Sequence, residues 1–314
     1  MRRERGFALL AVILVLTLLA VVVTEFAFSM RLEAAMARSY RDGLLAAHLA
    51  EAGVQQAIRE VLSQAQITAL DEDGQVVFYR GLPGQALPLR LPVLPRLHVP
   101  LGAGEFSYRI TDETARLDLN SAGPERLDRL LTALGVEKSQ RDVVNDSLQD
   151  WRDRDELPRL HGAESEDFYL RLPVPYRSRN SNLQDAAEVR QVRGVTRELY
   201  FGTADRPGLG ELVTAVQLNA VNLNTATAPV LKALGLSDAE IADVLQTRQR
   251  APFTSVPGRF AGRGLVVGSA TFRIHAEGGI AGSAPRHIVA VVQRGGRRSP
   301  VGVTILSWRS EIER

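Results

Sequence analysis

Residues 1–23 read MRRERGFALLAVILVLTLLAVVV, and this stretch decides the architecture of the chain. Arginines at positions 2, 3 and 5 precede an apolar run from Phe7 to Val23 that only Thr17 interrupts. A helix over this run rises about 25 Å, slightly short of the roughly 30 Å hydrocarbon core of a membrane, and Phe26 and Phe28 extend its apolar length. The arginines favour a cytoplasmic N-terminus. A single-pass inner-membrane protein with a periplasmic head is predicted.

The helical pattern continues beyond the membrane segment. Residues 24–62 contain no proline, and Val54, Ile58, Val61 and Leu62 fall on one helical face. We therefore predict one rod of about 55 residues, roughly 80 Å long. The segment has three interpretations: a cleaved secretory signal, a permanent anchor, or a prepilin-like leader cut on the cytoplasmic side. A secretory signal prefers a shorter apolar core and a small-x-small cleavage site, which this sequence matches poorly.

The composition is that of an ordinary globular protein with a modest charge. The 314 residues include 38 Lys+Arg and 36 Asp+Glu, and 45% are hydrophobic. Because the chain has no cysteine, it has no disulfide framework, thiolate zinc site or cysteine nucleophile. The five histidines are scattered, and no phosphate-binding Gly-Lys-Ser loop is present. We predict that the protein is not an enzyme and has no catalytic residues.

Strand patterns flank a helical block. Residues 75–80 are strand-like, five prolines in residues 81–104 argue against regular structure there, and residues 105–111 and 115–119 are predicted to form a hairpin. Strands over 270–277, 286–293 and 302–308, separated by Gly-Gly pairs, predict an antiparallel meander. The predicted fold class is α+β: a pilin-like N-terminal helix on a small antiparallel sheet, with an inserted all-α domain. The predicted units are 1–6, 7–62, 63–119, 120–260 and 261–314.

The helical block contains an imperfect repeat near residues 117–151 and 221–249. Asn120-Ser-Ala and Asn224-Thr-Ala each precede a helix, and Gly135 and Gly235 each end one, so asparagine caps and left-handed glycines are predicted. Two helix-hairpin-helix or SAM-like units are implied. Such units often bind DNA through a Gly-apolar-Gly hairpin, but the second glycine is absent in both copies. A membrane-tethered DNA-binding protein is the alternative function.

An acidic segment follows the first repeat. It contains eight carboxylates: Asp146, Asp150, Asp153, Asp155, Glu156, Glu164, Glu166 and Asp167. Three of them share one face near a helix C-terminus, where the helix dipole disfavours negative charge. One interpretation is a solvated ion-pair network with Arg152, Arg154 and Arg159. The other is a Ca²⁺ site formed by Asp153, Asp155, Glu164 and Asp167, although no EF-hand spacing is present.

The leader resembles those of the type IV pilin and type II secretion pseudopilin families, which have a basic segment ending in Gly, then Phe and an apolar helix. This resemblance implies cleavage between Gly6 and Phe7 by a prepilin peptidase and methylation of Phe7. In these families the fifth mature residue is normally Glu, whereas here it is Ala11. Lack of that Glu is a mark of the minor pseudopilin K family (GspK), found at the filament tip, where no neighbouring ammonium needs a counter-ion.

The inserted block resembles the same family, through DSLQDWRDRD at 146–155, GAE at 162–164, PYR at 175–177, LQDAAEVR at 183–190 and LNTA at 223–226. The resemblance implies a minor pseudopilin that caps and helps initiate the type II secretion pseudopilus, with Ca²⁺ bound in the helical domain. The implied partners are minor pseudopilins I, J and H, the major pseudopilin, prepilin peptidase and the inner-membrane secretion platform, with no nucleic acid. A structural anchor without a secretion role is a further alternative.

Overall fold

The structure is a computed structural model that describes residues 4–63, 65–81, 87–295 and 302–311. The helices are α1 Glu4–Val61, α2 Pro124–Ala133, α3 Lys138–Arg152, α4 Arg197–Phe201, α5 Leu209–Leu212, α6 Ala228–Ala233 and α7 Asp238–Arg250. The strands are β1 Ile67–Leu70, β2 Val76–Arg80, β3 Leu89–Arg90, β4 Val99–Leu101, β5 Gly104–Asp112, β6 Leu117–Asp118, β7 Gly202–Thr203, β8 Arg206–Pro207, β9 Val213–Thr214, β10 Val221–Asn222, β11 Leu265–Val266, β12 Thr271–Gly279, β13 Arg286–Arg294 and β14 Val303–Glu311. Short 3-10 helices cover Glu113–Ala115, Tyr169–Arg171, Ala186–Gln191 and Gly258–Phe260.

Helix α1 is one continuous rod of 58 residues, which confirms the prediction from the helical pattern. Every side chain from Phe7 to Arg41 is exposed. Further along, Ala46, Ala50, Val54, Ala57 and Val61 are completely buried at helical spacing. The helix therefore buries one face only over its C-terminal part.

A five-stranded antiparallel sheet packs against that C-terminal part, with the strand order β14-β13-β12-β5-β4. Its core includes Phe106, Tyr108, Phe272 and Ile274. The meander β12-β13-β14 was predicted and is confirmed. Gly278 lies inside β12 rather than between strands. The residue is glycine because a Cβ there would stand 2.1 Å from the carbonyl oxygen of Ala46. Glycine lets α1 and β12 meet backbone to backbone.

The predicted hairpin of residues 105–111 and 115–119 is wrong. Strand β5 pairs with β12 and β4, whereas β6 pairs in parallel with β9. Between them, Asp112 caps the 3-10 helix Glu113–Ala115 and turns the chain away from the sheet. The hairpin prediction failed because alternation of apolar and polar residues indicates a strand but does not determine which other strand pairs with it.

The proline-rich segment carries more structure than its five prolines predicted. Both β3 and β4 lie within it, and Pro100 is in β4. Strand β4 is at the edge of the five-stranded sheet, where a residue without an N–H group is tolerated. Residues 82–86, including Pro83, lie outside the described residues. The strand β1, which pairs with β2, was not predicted.

A second hydrophobic core lies within residues 117–260 and contains the two repeats. Helices α2 and α3 form the first pair, α6 and α7 form the second, and α2 contacts α6. Gly135 and Gly235 follow α2 and α6 with φ of +70° and +84°, as predicted for left-handed helix ends. The chain is thus an α+β protein in which a long helix and an antiparallel sheet share one core and the paired helices form another.

Candidate functional site

The N-terminal half of α1 has the character of a membrane segment. Within the described residues, one helix, Phe7–Val61, is long and apolar enough to cross a membrane, and its most apolar 18-residue window has a mean hydropathy of 3.1 with no residue buried. Gly6 lies in the helical backbone of α1, and Phe7 is 76% exposed. Ala11 lies one turn further along the same exposed stretch.

The two repeat asparagines do not cap helices, so that prediction is wrong. The N-cap residues of α2 and α6 are Gly123 and Thr227, and neither makes a side-chain capping bond. Each asparagine instead holds a distant segment. Asn120 accepts from the Leu183 N–H at 2.8 Å and donates to the carbonyls of Leu183 and Ala215.

Asn224 repeats this arrangement on other partners. It accepts from the Phe253 N–H at 2.8 Å and donates to the carbonyls of Phe253 and Val267 at 3.1 Å. Each asparagine thus bonds to the residue that follows the second strand of a short parallel bridge. Asn120 bonds to Ala215 after β9, which pairs with β6, and Asn224 bonds to Val267 after β11, which pairs with β10.

Each repeat also has an arginine in the last turn of its second helix. Arg152 donates to the carbonyls of Leu119 and Ala122, and Arg248 donates to those of Leu223 and Ala226. The prediction that Arg152 neutralises the acidic segment is therefore wrong, since the backbone of the repeat holds this guanidinium. Arg159 neutralises part of the acidic segment instead, because its Nη1 forms ion pairs with Asp150 Oδ1 at 2.5 Å and Asp153 Oδ2 at 2.6 Å.

Three of the four predicted metal ligands come together. Asp153, Asp155 and Glu164 place one carboxylate oxygen each within 4.8 Å of one another. Asp153 follows the last residue of α3, Asp155 is exposed, and Glu164 is 1% exposed. Asp167, the fourth, instead accepts from the Glu164 N–H at 2.7 Å and so shapes the turn that carries Glu164.

In each of these three carboxylates one oxygen is engaged by the protein. Asp153 Oδ2 accepts from Arg159, Asp155 Oδ1 from the Leu157 N–H at 3.0 Å, and Glu164 Oε2 from the Ser178 hydroxyl at 2.9 Å. The second oxygens of Asp153 and Glu164 are buried and have no hydrogen-bond partner in the described structure. Buried acceptors without a donor are costly unless a cation or an ordered water pairs with them.

Burial and mutual repulsion disfavour the charged form of the carboxylates in this cluster. Burial, with a contribution from the negative charges of Asp150, Glu156 and Asp153, raises the pKa of Glu164 to about 7, against the opposing effect of the Ser178 hydrogen bond. Burial likewise raises the pKa of Asp150, opposed by Arg159. A hard cation prefers such oxygens and would supply the missing charge. The residues therefore fit a Ca²⁺ ion.

Sequence reasoning missed two residues beside this cluster. Asn180 adopts a left-handed backbone with φ of 51°, donates to Glu156 Oε1 at 2.9 Å, and has a buried Oδ1 without a partner. Ser178 holds Glu164. Neither lies in the acidic run, so only their position in the fold connects them with it.

An α+β head on a long helix, exposed and apolar over its first part, defines a pilin-like membrane protein. Two family models, both described as type II secretion system (T2SS), protein K, match residues 109–202 and 221–265. The type II secretion system protein K of Pectobacterium carotovorum subsp. carotovorum is 30% identical over 275 residues, covering 80% of this chain and 76% of that protein. The chain therefore belongs to the type II secretion system protein K family.

Other relatives agree with this membership. The type II secretion system protein K of Aeromonas hydrophila is 24% identical over 293 residues, covering 82% of this chain and 84% of the relative. Among solved structures, a chain of the GspK-GspI-GspJ complex from the enterotoxigenic Escherichia coli type 2 secretion system superposes with a TM-score of 0.66. At 18% identity, the match covers 90% of this chain and all of that one, so the two share a fold.

Proposed function

We propose that this protein is a minor pseudopilin that caps the periplasmic pseudopilus of a type II secretion system and helps to initiate it. The observation that carries the proposal is the division of α1, which is wholly exposed from Phe7 to Arg41 and then buries a stripe against the sheet. The exposed apolar half requires a membrane or other apolar helices around it. The head, which packs against the buried part of α1, would lie outside the membrane.

The second core supports a position at the filament tip. It adds the segment from Leu117 to Phe260 to the sheet-based head, and this bulk is difficult to repeat along a tightly packed shaft. Ala11 supports the same position, because a terminal subunit has no following ammonium that requires a carboxylate. The role is structural, and we propose no catalysis.

The family and its solved relative suggest the partners. The similar structure is a complex of GspK with GspI and GspJ, so we propose the corresponding minor pseudopilins as partners of this chain, together with H and the major pseudopilin. Prepilin peptidase would cut between Gly6 and Phe7 and methylate Phe7. The inner-membrane platform would add the processed subunit, with its N-terminus towards the cytoplasm and its head in the periplasm.

Blocking the processing step tests this function. We expect Gly6→Val to retain the leader and to abolish pseudopilus assembly and protein export, while Leu10→Ile, inside the apolar run, leaves both intact. The measurements are the mass of the mature N-terminus and the amount of exported protein in the medium. Normal export by Gly6→Val chains that keep the leader would contradict the proposal.

We also propose a structural Ca²⁺ ion in the head, held by Asp153, Asp155 and Glu164. Such an ion would neutralise the cluster and fasten the segment after α3 to the helix end. The support is the pair of buried, partnerless oxygens on Asp153 and Glu164. Isothermal titration with CaCl2 tests it: we expect binding that Glu164→Gln removes, and no heat with the unmodified chain would refute the site.

We propose that the helix pairs α2–α3 and α6–α7 are helix-hairpin-helix units, and the support is the left-handed glycine in the turn of each pair. The comparisons lend no support to the DNA-binding alternative. Glu137 and the capping box of Ser237 with Glu240 occupy the turns where a phosphate would bind. We therefore propose that these units pack the head. Failure of the purified chain to bind duplex DNA at low salt is the expected result.

A further inference from the structure

Glu164 is the most enclosed of the three clustered carboxylates, and its orientation depends on one hydroxyl group. The residue is 1% exposed, and its Oε2 accepts from Ser178 Oγ at 2.9 Å. Its Oε1 is buried and has no partner among the described residues. A glutamate side chain has several rotatable bonds, so the bond from Ser178 fixes which oxygen is engaged by the protein and leaves Oε1 available to a ligand.

A second serine fixes the direction of that hydroxyl. Ser165 Oγ lies 2.7 Å from Ser178 Oγ and accepts from the Ser178 N–H at 3.1 Å. Because the Ser178 hydroxyl hydrogen points to Glu164, the short contact is satisfied when Ser165 donates to Ser178. The relay therefore runs from the Ser178 amide through Ser165 Oγ and Ser178 Oγ to Glu164 Oε2. Both serines are buried, at 0% and 8% exposure.

The segment that carries Ser178 also braces the opposite side of the cluster. Two residues later, the Asn180 N–H donates to the Trp151 carbonyl at 3.0 Å, and the Asn180 side chain donates to Glu156. Residues 178–180 thus connect the turn of Glu164 with the end of α3. The Ser178 hydroxyl can therefore affect the position of Glu164 as well as the stability of the fold.

We propose that Ser178 and Ser165 are positioning residues for the cation: their relay holds Glu164 with Oε1 directed at the ion. This inference rests on the proposed Ca²⁺ site. Hydrogen bonds behind a metal ligand typically change metal affinity by about 10- to 100-fold when they are removed. The relay is neutral and adds no charge to the cluster, so its contribution is orientation.

The test measures Ca²⁺ affinity and ion-free stability separately, on the full chain purified in detergent. Calorimetric titration with CaCl2 gives the Kd, and thermal unfolding in EGTA gives the stability without the ion. We expect Ser178→Ala to raise the Kd about tenfold or more. Ser178→Thr, which keeps the hydroxyl, should retain the affinity. Ser181→Ala, at a neighbouring exposed serine, is the matched control and should leave the Kd unchanged.

Ser165→Ala is the second variant, since it keeps the Ser178 hydroxyl but removes the group that directs it, and a smaller rise in Kd is expected. An unchanged Kd in both alanine variants would overturn the relay, even if their unfolding temperatures in EGTA fell, because the serines would then serve the fold alone. No binding by the unmodified chain would instead refute the Ca²⁺ site itself, and the relay with it. The two failures are therefore distinguishable.

Discussion

The two helix pairs share a scaffold but differ in charge. Each has a short parallel bridge, an asparagine that binds three backbone groups on two residues far along the chain, and an arginine that donates to carbonyls just before its first helix. When Arg152 is matched with Arg248, Asp150 corresponds to Gln246 and Asp153 to Gln249. The second pair lacks carboxylates at both positions.

The difference shows that the acidic residues are not required by the scaffold. The second pair folds around the same asparagine, arginine and glycine without them, and its following segment returns from Ala251 to β11. In the first pair the chain instead runs through Arg159, Glu164 and Ser178 before it reaches Leu183. The carboxylates are an addition, and this favours an ion-binding role over a packing role.

The largest expected effect comes from the shared asparagines. Asn224→Ala removes three hydrogen bonds at a residue that is 1% exposed, so we expect a loss of about 3 kcal/mol in the free energy of unfolding, at about 1 kcal/mol for each bond. Asn120→Ala should cost less, because water reaches this half-buried site. Urea denaturation of the two variants measures the difference, and a loss below about 0.5 kcal/mol for Asn224→Ala would contradict the tie.

Calcium should stabilise only the first pair. At a Ca²⁺ concentration 100 times its Kd, binding adds about 2.7 kcal/mol to the free energy of unfolding, and EGTA removes that gain. Asp153→Asn should abolish the difference between the two conditions, whereas Gln249→Asn at the matching position should preserve it. Thermal unfolding with and without EGTA checks this. A calcium response that survives in Asp153→Asn would place the ion elsewhere.

The two glycine turns should respond alike. Gly135→Ala and Gly235→Ala force alanine into a left-handed conformation at φ of +70° and +84°, where added Cβ atoms meet nothing closer than 3.8 Å. We expect each to lose about 1 kcal/mol, from backbone strain alone. Gly123→Ala, at an extended N-cap position with open space, is the control. Unequal losses, measured by urea denaturation, would show that the copies are not equivalent there.

The smallest effect is expected from adding a carboxylate to the second pair. Gln249→Asp introduces the charge that Asp153 has. Asp71, Glu72 and Asp73 line the same pocket as Gln249, but they share it with Arg90, Arg248 and Arg250, and no group of three clustered metal ligands is found there among the described residues. We expect the calcium stoichiometry from calorimetry to stay the same and the free energy of unfolding to change by less than about 0.5 kcal/mol. A new calcium site in this variant would show that one added carboxylate is enough to complete a site in this pocket.

Much of the fold could be predicted locally. The rod α1, the closing strands and the glycine helix ends follow from periodicity and turn chemistry, which act over a few residues. The hairpin prediction failed because β5 finds its partner β12 about 160 residues later, and the asparagine caps failed because Asn120 binds groups 63 and 95 residues away. Four candidate ligands were named from the acidic run and three of them come together, whereas Ser178 and Asn180 carry no local signal.

The amino-acid sequence by itself determined that an apolar helix precedes a mixed α+β head, and that carboxylates accumulate after the first helix pair. Both are properties of neighbouring residues, and hydrophobic periodicity and charge density act at that range. Only the tertiary structure decided which carboxylates meet, which arginine pairs with them and which serine donates to Glu164. Those choices depend on burial, because a polar group removed from water must find a partner wherever the fold brings one.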